Sequence, residues 1–330
     1  MSPKGRPEGT STPTRVSAEE SPANLPAAPA APAHVPLSAV LLVCGATLCF
    51  VLLDSMFKHL SQHLPIPLLV WARWTVQAVA VALWLVPQSG LRALVRTRKL
   101  TAQLFRGAVL IGSSLCFVSA LKVMPLAEVT ALNYTTPVLV TILAVVFLDE
   151  RMTRMRVAFV VAGFAGMLLV VRPGGELFQG AALFALGSAW FYAMFQITTR
   201  KLADEDWRAL LFYPALVGAV AMTVLLPFLD WRSPVTLQDG AMIVAAGLLG
   251  SLGHFLFQRA FQRAAASAIT PFTYVQLVWS TLAGWIAFAS FPDAWTLTGM
   301  AIITGSGLLI ALHEQRKSRT AVAAQATVVD

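Results

Sequence analysis

The stretch ALKVMPLAEVTALNYTTPVLVTILAVVFLDERMTRMRVAFVVAGFAGMLLVVRPG, residues 120–174, contains two long apolar runs separated by a short charged segment. The runs cover residues 126–148 and 155–172, and the charged residues between them lie in 149–154. A helix rises about 1.5 Å per residue, so about 20 apolar residues cross the roughly 30 Å hydrocarbon core of a bilayer. Each run therefore predicts one membrane-spanning helix, and the charged segment predicts a loop at the membrane surface.

Apolar runs of this length recur from residue 37 to about residue 311. The other eight cover residues 37–58, 66–86, 103–122, 179–199, 209–228, 239–258, 267–289 and 295–312. Of the 330 residues, 57% are hydrophobic and 12% charged, and the mean hydropathy is +0.70. A soluble domain is roughly a quarter charged. The composition excludes an ordinary soluble protein and predicts an all-α integral membrane protein with ten transmembrane helices.

The distribution of basic residues predicts the orientation of these spans. With both termini in the cytoplasm, the cytoplasmic segments contain 19 of the 24 Lys and Arg residues and the opposite loops contain four. The remaining one, Arg73, lies inside the second span. Cytoplasmic loops of membrane proteins are enriched in Lys and Arg. We therefore interpret the net charge of +8 as a loop bias and expect no nucleic-acid partner.

An internal repeat divides the membrane region into halves. At an offset of 140–142 residues, Gly45 aligns with Gly187, Tyr134 with Tyr274, and several further identities follow from the first span to the fifth. Because five spans is an odd number, the second half must enter the membrane from the opposite side, which predicts two inverted five-helix repeats. We assign residues 36–173 and 179–313 to the repeats, 1–35 to a disordered, proline-rich cytoplasmic tail, and 314–330 to a second cytoplasmic tail.

The quoted stretch resembles the first-repeat signature of the EamA-type drug/metabolite transporter superfamily. The resemblance rests on MPL before the fourth span, Pro137 within it, the DER loop, and a glycine-rich fifth span that ends in RPG. Arg73 in WARW also resembles an arginine that the family often has early in the second helix. The FPDA sequence at 291–294 departs from the family's usual Gly-Glu pair. The resemblance covers residues 37–312 and implies two EamA-like repeats in a permease of the bacterial inner membrane.

Polar side chains recur at helical spacing in the fourth and ninth spans. We predict that these side chains bind substrate; they are Thr130, Asn133, Tyr134, Thr270, Thr273 and Tyr274. Gln196, which aligns with Asp54 in the repeat, is predicted to bind substrate with them. Hydroxyl and amide groups facing lipid would lack partners, so these positions should face the bundle interior. The alternative is that they form hydrogen bonds between helices without touching a solute.

Ionisable residues and prolines within the spans are candidates for coupling or gating. Asp54 and Arg73 lie at similar depth, so they form either a structural ion pair or a site for a proton or a substrate amine. His254 is either a proton relay or a packing residue, and Glu128 is expected at the outer boundary, opposite Thr130. The prolines are Pro137 and Pro271, and each removes a backbone hydrogen bond, which allows a kink with or without a role in gating.

These observations predict a secondary transporter of a small organic metabolite that works by alternating access. The resemblance implies amino-acid-like or heteroaromatic substrates, and we favour export slightly because the predicted cavity has few charges. The alternatives are an uptake carrier for riboflavin or S-adenosylmethionine-type solutes, and a lipid-carrier flippase of the same fold. Without a catalytic cluster, metal-ligand set or phosphate-binding loop in the sequence, we expect neither an enzyme nor a cofactor or metal. The expected partners are a small-molecule substrate, the lipid bilayer and protons as the candidate coupling ion. The sequence leaves open whether the protein forms a homodimer.

Overall fold

The computed structural model describes residues 36–148, 152–172, 180–202, 204–229, 233–264 and 266–326, and helices make up most of them. The first repeat contains α1 (Leu37–Leu60), α2 (Ile66–Ser89), α3 (Leu91–Val95), α4 (Leu100–Val123), α5 (Leu126–Asn133), α6 (Thr136–Leu148) and α7 (Arg154–Val171). The second contains α8 (Ala181–Lys201), α9 (Trp207–Leu225), α10 (Leu237–Arg263), α11 (Ala266–Thr273), α12 (Val275–Phe288) and α13 (Ala294–Ala326). A 3₁₀ turn, Leu226–Phe228, extends α9.

Within the described residues, nine segments are long and apolar enough to cross a membrane, and α5 with α6 counts as one of them. The predicted ninth span corresponds to α11 and α12, which are interrupted at Tyr274 and are each too short to be counted alone. Large apolar side chains on the outside of the bundle are exposed, for example Leu83 and Ile286, as expected for surfaces that contact lipid. The all-α fold with ten spans is confirmed.

The contacts between helices repeat when the two halves are exchanged. Helix α1 packs along α10, and the equivalent pair, α8 and α4, packs in the same way. The contact of α1 with α12 likewise has its counterpart in that of α8 with α6. The pairs α2–α9 and α7–α13 are each formed by equivalent helices. Such matched contacts between two five-span halves define an approximate twofold relation, as expected for an inverted repeat.

The two halves also begin their last spans with matched caps. The Thr153 hydroxyl accepts a hydrogen bond from the Arg156 N–H at the start of α7, at 3.3 Å. The Asp293 carboxylate accepts one from the Thr296 N–H at the start of α13, at 2.9 Å. Capping satisfies backbone donors that have no partner within the helix. The FPDA segment, where the sequence departs from the family pattern, therefore provides the cap of α13.

The structure describes only part of the two predicted tails and of the loop between the fourth and fifth spans. The proline-rich tail, residues 1–35, lies outside the described residues, as do the charged residues 149–151. The predicted C-terminal tail is helical in its described part, because α13 continues to Ala326 instead of ending near residue 312.

Candidate functional site

Tyr134 and Tyr274, equivalent residues of the two repeats, each lie at an interruption of a membrane span. Tyr134 separates α5 from α6, and Tyr274 separates α11 from α12. Pro137 follows the first interruption and has no N–H to donate to the carbonyl of Asn133, so the Thr136 hydroxyl donates to that carbonyl instead, at 2.6 Å. Both candidate prolines therefore lie within three residues of an interruption, since Pro271 precedes Tyr274 by three.

Tyr134 connects the two repeats. Its hydroxyl donates to the carbonyl of Thr273 at 2.6 Å and lies 3.1 Å from Oε1 of Gln276. The Tyr134 and Tyr274 rings are tilted against each other with centroids 5.0 Å apart. Tyr274 does not make the reciprocal bond: its hydroxyl points at α13, where a Cβ on Gly307 would lie 1.5 Å from Tyr274 Oη. The interface is symmetric in position and asymmetric in hydrogen bonding.

The remaining polar candidates of the fourth and ninth spans bond mainly within their own helices. Thr130 is buried and its hydroxyl donates to the Leu126 carbonyl at 2.8 Å. The Thr273 hydroxyl donates to the Thr270 carbonyl at 2.7 Å. Asn133 is half-buried beside the first interruption. Of these candidates, Tyr134 bonds to the other repeat. The Thr130 and Thr273 hydroxyls donate within their own helices, and each retains acceptor capacity.

A group of polar side chains from five spans meets near this interface; we call it the central polar cluster, defined as Asp54, Arg73, Tyr134, Tyr192 and His254. Arg73 interacts electrostatically with Asp54 and Tyr192. Tyr134 does so with Asp54 and Tyr192, and His254 with Arg73. The structure therefore brings together the two charged candidates, the histidine and one of the tyrosines.

Gln196 is half-buried on α8, the helix that also contains Tyr192. It occupies in the second repeat the position of Asp54 in the first. Tyr192 is not among the site residues predicted from the sequence. Its place on the same helix as Gln196, at a separation of four residues, is the signal that identifies it as facing the same side.

Arg106 is a second arginine inside the bundle, which sequence reasoning assigned to the cytoplasmic charges. It is 5% exposed, and its guanidinium donates to the Thr199 hydroxyl and the Leu210 carbonyl, both at 2.8 Å. It also lies 4.5 Å from the centroid of the Phe195 ring. Arg106 therefore joins α4 to α8 and α9 through hydrogen bonds to neutral protein groups.

A second charged group lies at the end of the bundle predicted to face outward; we call it the outer cluster, defined as Lys58, Glu128, Arg172 and Asp293. Arg172, at the end of α7, forms an ion pair with Asp293, before α13. This bond from Arg172, together with the Thr296 N–H, holds the pKa of Asp293 well below its usual range. Glu128 is 7% exposed and lies in the first turn of α5, where it interacts with the other three charges of the outer cluster.

An apolar cavity of about 350 Å³ shares no lining residue with either cluster. It is lined by α6, α7 and α8, including Val138, Phe164, Met167 and Trp190, and Thr135 is its polar residue. Phe164 and Trp190 are also exposed on the outside of the bundle. None of the candidate substrate or coupling residues lines this cavity.

Comparison with known proteins identifies the family of this chain. Residues 37–172 and 179–312 each match the EamA-like transporter family. The chain is 31% identical to an S-adenosylmethionine uptake transporter of Rickettsia bellii over 67% of this chain and 76% of the relative. It is 27% identical to a riboflavin transporter of Vibrio cholerae over 87% of this chain and 97% of the relative.

The same identity, 27%, relates it to a pseudopaline exporter of Pseudomonas aeruginosa, over 85% of this chain and 97% of the relative. A solved crystal structure with 20% identity superposes with a TM-score of 0.60 over 85% of this chain and 98% of the other, which supports the fold. With both halves matched, ten spans and a polar interface between the repeats, this multi-pass membrane protein belongs to the EamA-like transporter family.

Proposed function

We propose that this chain is a secondary transporter that moves a small organic metabolite through the central polar cluster. The observation on which the proposal rests is the pair of equivalent tyrosines, each at an interruption of a span and in ring contact across the repeats. Inverted repeats with discontinuous helices bind substrate at their interface and change access by moving one repeat against the other. The interruptions provide the hinges that such a movement needs.

We further propose that the protein lies in the bacterial cytoplasmic membrane with both termini inside. The distribution of Lys and Arg over the loops supports this orientation. The direction of transport is a separate question, because the relatives include an S-adenosylmethionine uptake transporter and a pseudopaline exporter. The central polar cluster contains one acidic and one basic residue, which suits export of solutes with little net charge, and export is our preferred direction.

Metabolite profiling of cells and medium tests the proposal. The wild type is compared with an Asp54→Asn, Gln196→Ala double variant, and Lys122→Gln, an exposed residue outside the site, is the control. All three are brought to equal abundance in the membrane. A metabolite enriched in the medium with wild type and control, and absent with the double variant, identifies an exporter; enrichment inside the cells identifies an importer. Identical profiles for all three would contradict the site.

The apolar cavity favours a second candidate function, a lipid-carrier flippase. It lies between α7 and α8, and its wall includes residues exposed on the outside of the bundle, where an acyl chain could enter from the bilayer. A flippase would move a lipid-linked probe in proteoliposomes and would leave water-soluble metabolites where they were. Filling the cavity with Leu139→Trp would then abolish movement of the lipid and spare transport of a soluble solute.

A further inference from the structure

The apolar cavity between α6, α7 and α8 is continuous with the lipid-facing surface of the bundle. Phe164 and Trp190 line the cavity and are also exposed on the outside. Val161 and Leu183 lie three and seven residues away on the same faces of α7 and α8, and both are exposed. Apolar side chains on the outside of a membrane-spanning bundle contact hydrocarbon tails. The cavity therefore opens towards the bilayer.

The cavity lies at the level of the hydrocarbon tails, in the half of the membrane predicted to face outward. Leu186 is near the start of α8, and Met167 is near the end of α7. At 1.5 Å per residue, these positions are about 8 and about 6 Å from the outward ends of their helices. Leu139, the deepest lining residue of the fourth span, is about 20 Å from its outward end, Leu126. The hydrocarbon core is roughly 30 Å thick, so lipid headgroups do not reach this cavity.

The described lining of the cavity suits an apolar ligand. Thr135 is its polar residue, and the Thr135 hydroxyl already donates to the Leu132 carbonyl at 2.7 Å. The volume of about 350 Å³ falls in the range of ligand pockets, roughly 300–1,000 Å³. Apolar cavities of about 150 Å³ stay dry and take up benzene. Water is therefore a poor occupant, and the apolar group supplied by the bilayer at this depth is an acyl chain.

The second repeat has a larger side chain at the equivalent of one lining position. At the offset of 140 residues, Leu139 aligns with Trp279. Trp279 is half-buried and packs against the core cluster that contains Tyr274 and Leu277. An indole ring is much larger than the side chain of leucine, so protein fills less of the space beside the interruption of the fourth span.

We propose that the cavity is a resident lipid site, which binds one acyl chain of a glycerophospholipid from the outer leaflet. The chain lies against Leu139 and Met167, and the headgroup stays at the membrane surface. The chain supplies the lining with contacts that an empty space would forfeit. Because α6 and α7 belong to the first repeat and α8 to the second, the chain packs between the repeats. The lipid remains bound and is not transported, so the inference does not depend on the identity of the solute.

Photo-crosslinking of the full-length protein in proteoliposomes tests the site. The probe is a phosphatidylcholine with a diazirine in the middle of one tail, mixed in increasing fractions with ordinary phosphatidylcholine, and mass spectrometry maps the labelled residues. Val220 and Val278 are exposed residues at similar depth on other helices, and they report the surrounding lipid. In the wild type, we expect Met167 and Leu186 to be labelled at least fivefold more than these two. Their labelling should saturate at one lipid per protein.

Two tryptophan variants of α6 separate the cavity from the outer surface. Leu139→Trp copies the residue of the second repeat into the cavity, and it should lower the labelling of Met167 and Leu186 at least fivefold. Val146→Trp adds the same side chain at an exposed position of the same helix and is the matched control. The control should leave the labelling of both residues unchanged.

Each other outcome overturns the assignment. Equal labelling of the cavity and of Val220 and Val278 would mean that the probe reports only the lipid around the protein. This comparison uses wild-type protein, so it stays decisive even if Leu139→Trp fails to fold. Unchanged labelling in Leu139→Trp, or an equal loss in Val146→Trp, would also reject the site. Displacement of the probe by a free fatty acid and not by phosphatidylcholine would reject a glycerophospholipid as the occupant.

Discussion

Tyr134 and Tyr274 are equivalent positions of the two repeats, but their hydroxyl groups make different contacts. The Tyr134 hydroxyl bonds to the opposite repeat, whereas the Tyr274 hydroxyl abuts α13. Tyr134→Phe removes that hydrogen bond and should lower the free energy of unfolding by about 0.6–1 kcal/mol, the usual contribution of such a bond. Tyr274→Phe, the matched control, should have a smaller effect. Thermal unfolding in nanodiscs measures both, and equal losses would contradict the asymmetry.

Gly307 is a residue whose missing side chain makes room for a neighbour. A Cβ there would lie 1.5 Å from the hydroxyl and 2.4 Å from Cζ of Tyr274, while Gly305, two residues earlier, has open space. Gly307→Ala should therefore destabilise the protein by about 1–3 kcal/mol, as overpacking does, and Gly305→Ala should not. Adding Tyr274→Ala to Gly307→Ala should relieve the clash. A fluorescence-detected melting curve for each variant checks this, and equal stability of the two alanine variants would count against the packing described.

Sequence reasoning reaches some of these residues and misses others for identifiable reasons. The recurrence of Tyr134 at Tyr274 is visible because a repeat offset aligns them. Arg106 was not predicted in the interior because it adjoins a basic loop, and charge alone does not reveal whether a guanidinium finds carbonyl partners across helices. The sequence also could not show that Asp54 and Arg73, both described residues, form no ion pair. Depth along a helix gives the level of a residue and not its distance from a neighbour.

The end of α7 and the start of α13 are joined by an ion pair whose two residues align with uncharged residues in the repeat. At the offset of 140 residues, Asp293 corresponds to Thr153 and Arg172 to Leu312. Both positions of the outer pair are partly exposed, so the contribution to stability should be small and weakened by salt. At the outer end, this ion pair adds an electrostatic contact between α7 and α13.

The pH dependence of this ion pair follows from the lowered pKa of Asp293. A depressed pKa means that the contribution is present above the ordinary aspartate pKa and is lost only as the pH falls below it. We expect Asp293→Asn, which preserves the capping oxygen of α13, to lower the melting temperature slightly at pH 7 and equally at pH 5. The difference from wild type should vanish at high salt. A difference that already disappeared at pH 5 would contradict the lowered pKa.

The fourth and ninth spans were predicted from the sequence, but the positions of their interruptions were not. The fourth and ninth spans were predicted from their apolar length, and Pro137 and Pro271 indicated that each could bend. The break positions at Tyr134 and Tyr274 were not predicted, because tyrosine and threonine are compatible with a continuous helix. Their location depends on hydrogen bonds made after folding, such as that from Thr136 to Asn133.

At the scale of the whole molecule, the fold was predictable and the function only in outline. Length, apolar runs and the repeat offset determine ten spans in two halves, because the bilayer thickness and an odd number of spans leave few arrangements. The solute depends instead on how side chains from different spans converge. The central polar cluster draws on residues up to 200 positions apart in sequence, Asp54 and His254, and no local pattern predicts that they meet.

The most direct test of the account asks whether the interface between the repeats is open to one side at a time. Asn133→Cys and Thr273→Cys, equivalent in the two repeats, are introduced after replacing the three native cysteines. A membrane-impermeant thiol reagent is then applied from each side of oriented vesicles in which the variant still transports. Alternating access predicts that each cysteine is labelled from both sides, and that locking one side closed by a crosslink prevents labelling from that side alone. Labelling from neither side, or unchanged labelling after crosslinking, would contradict a substrate path between the repeats.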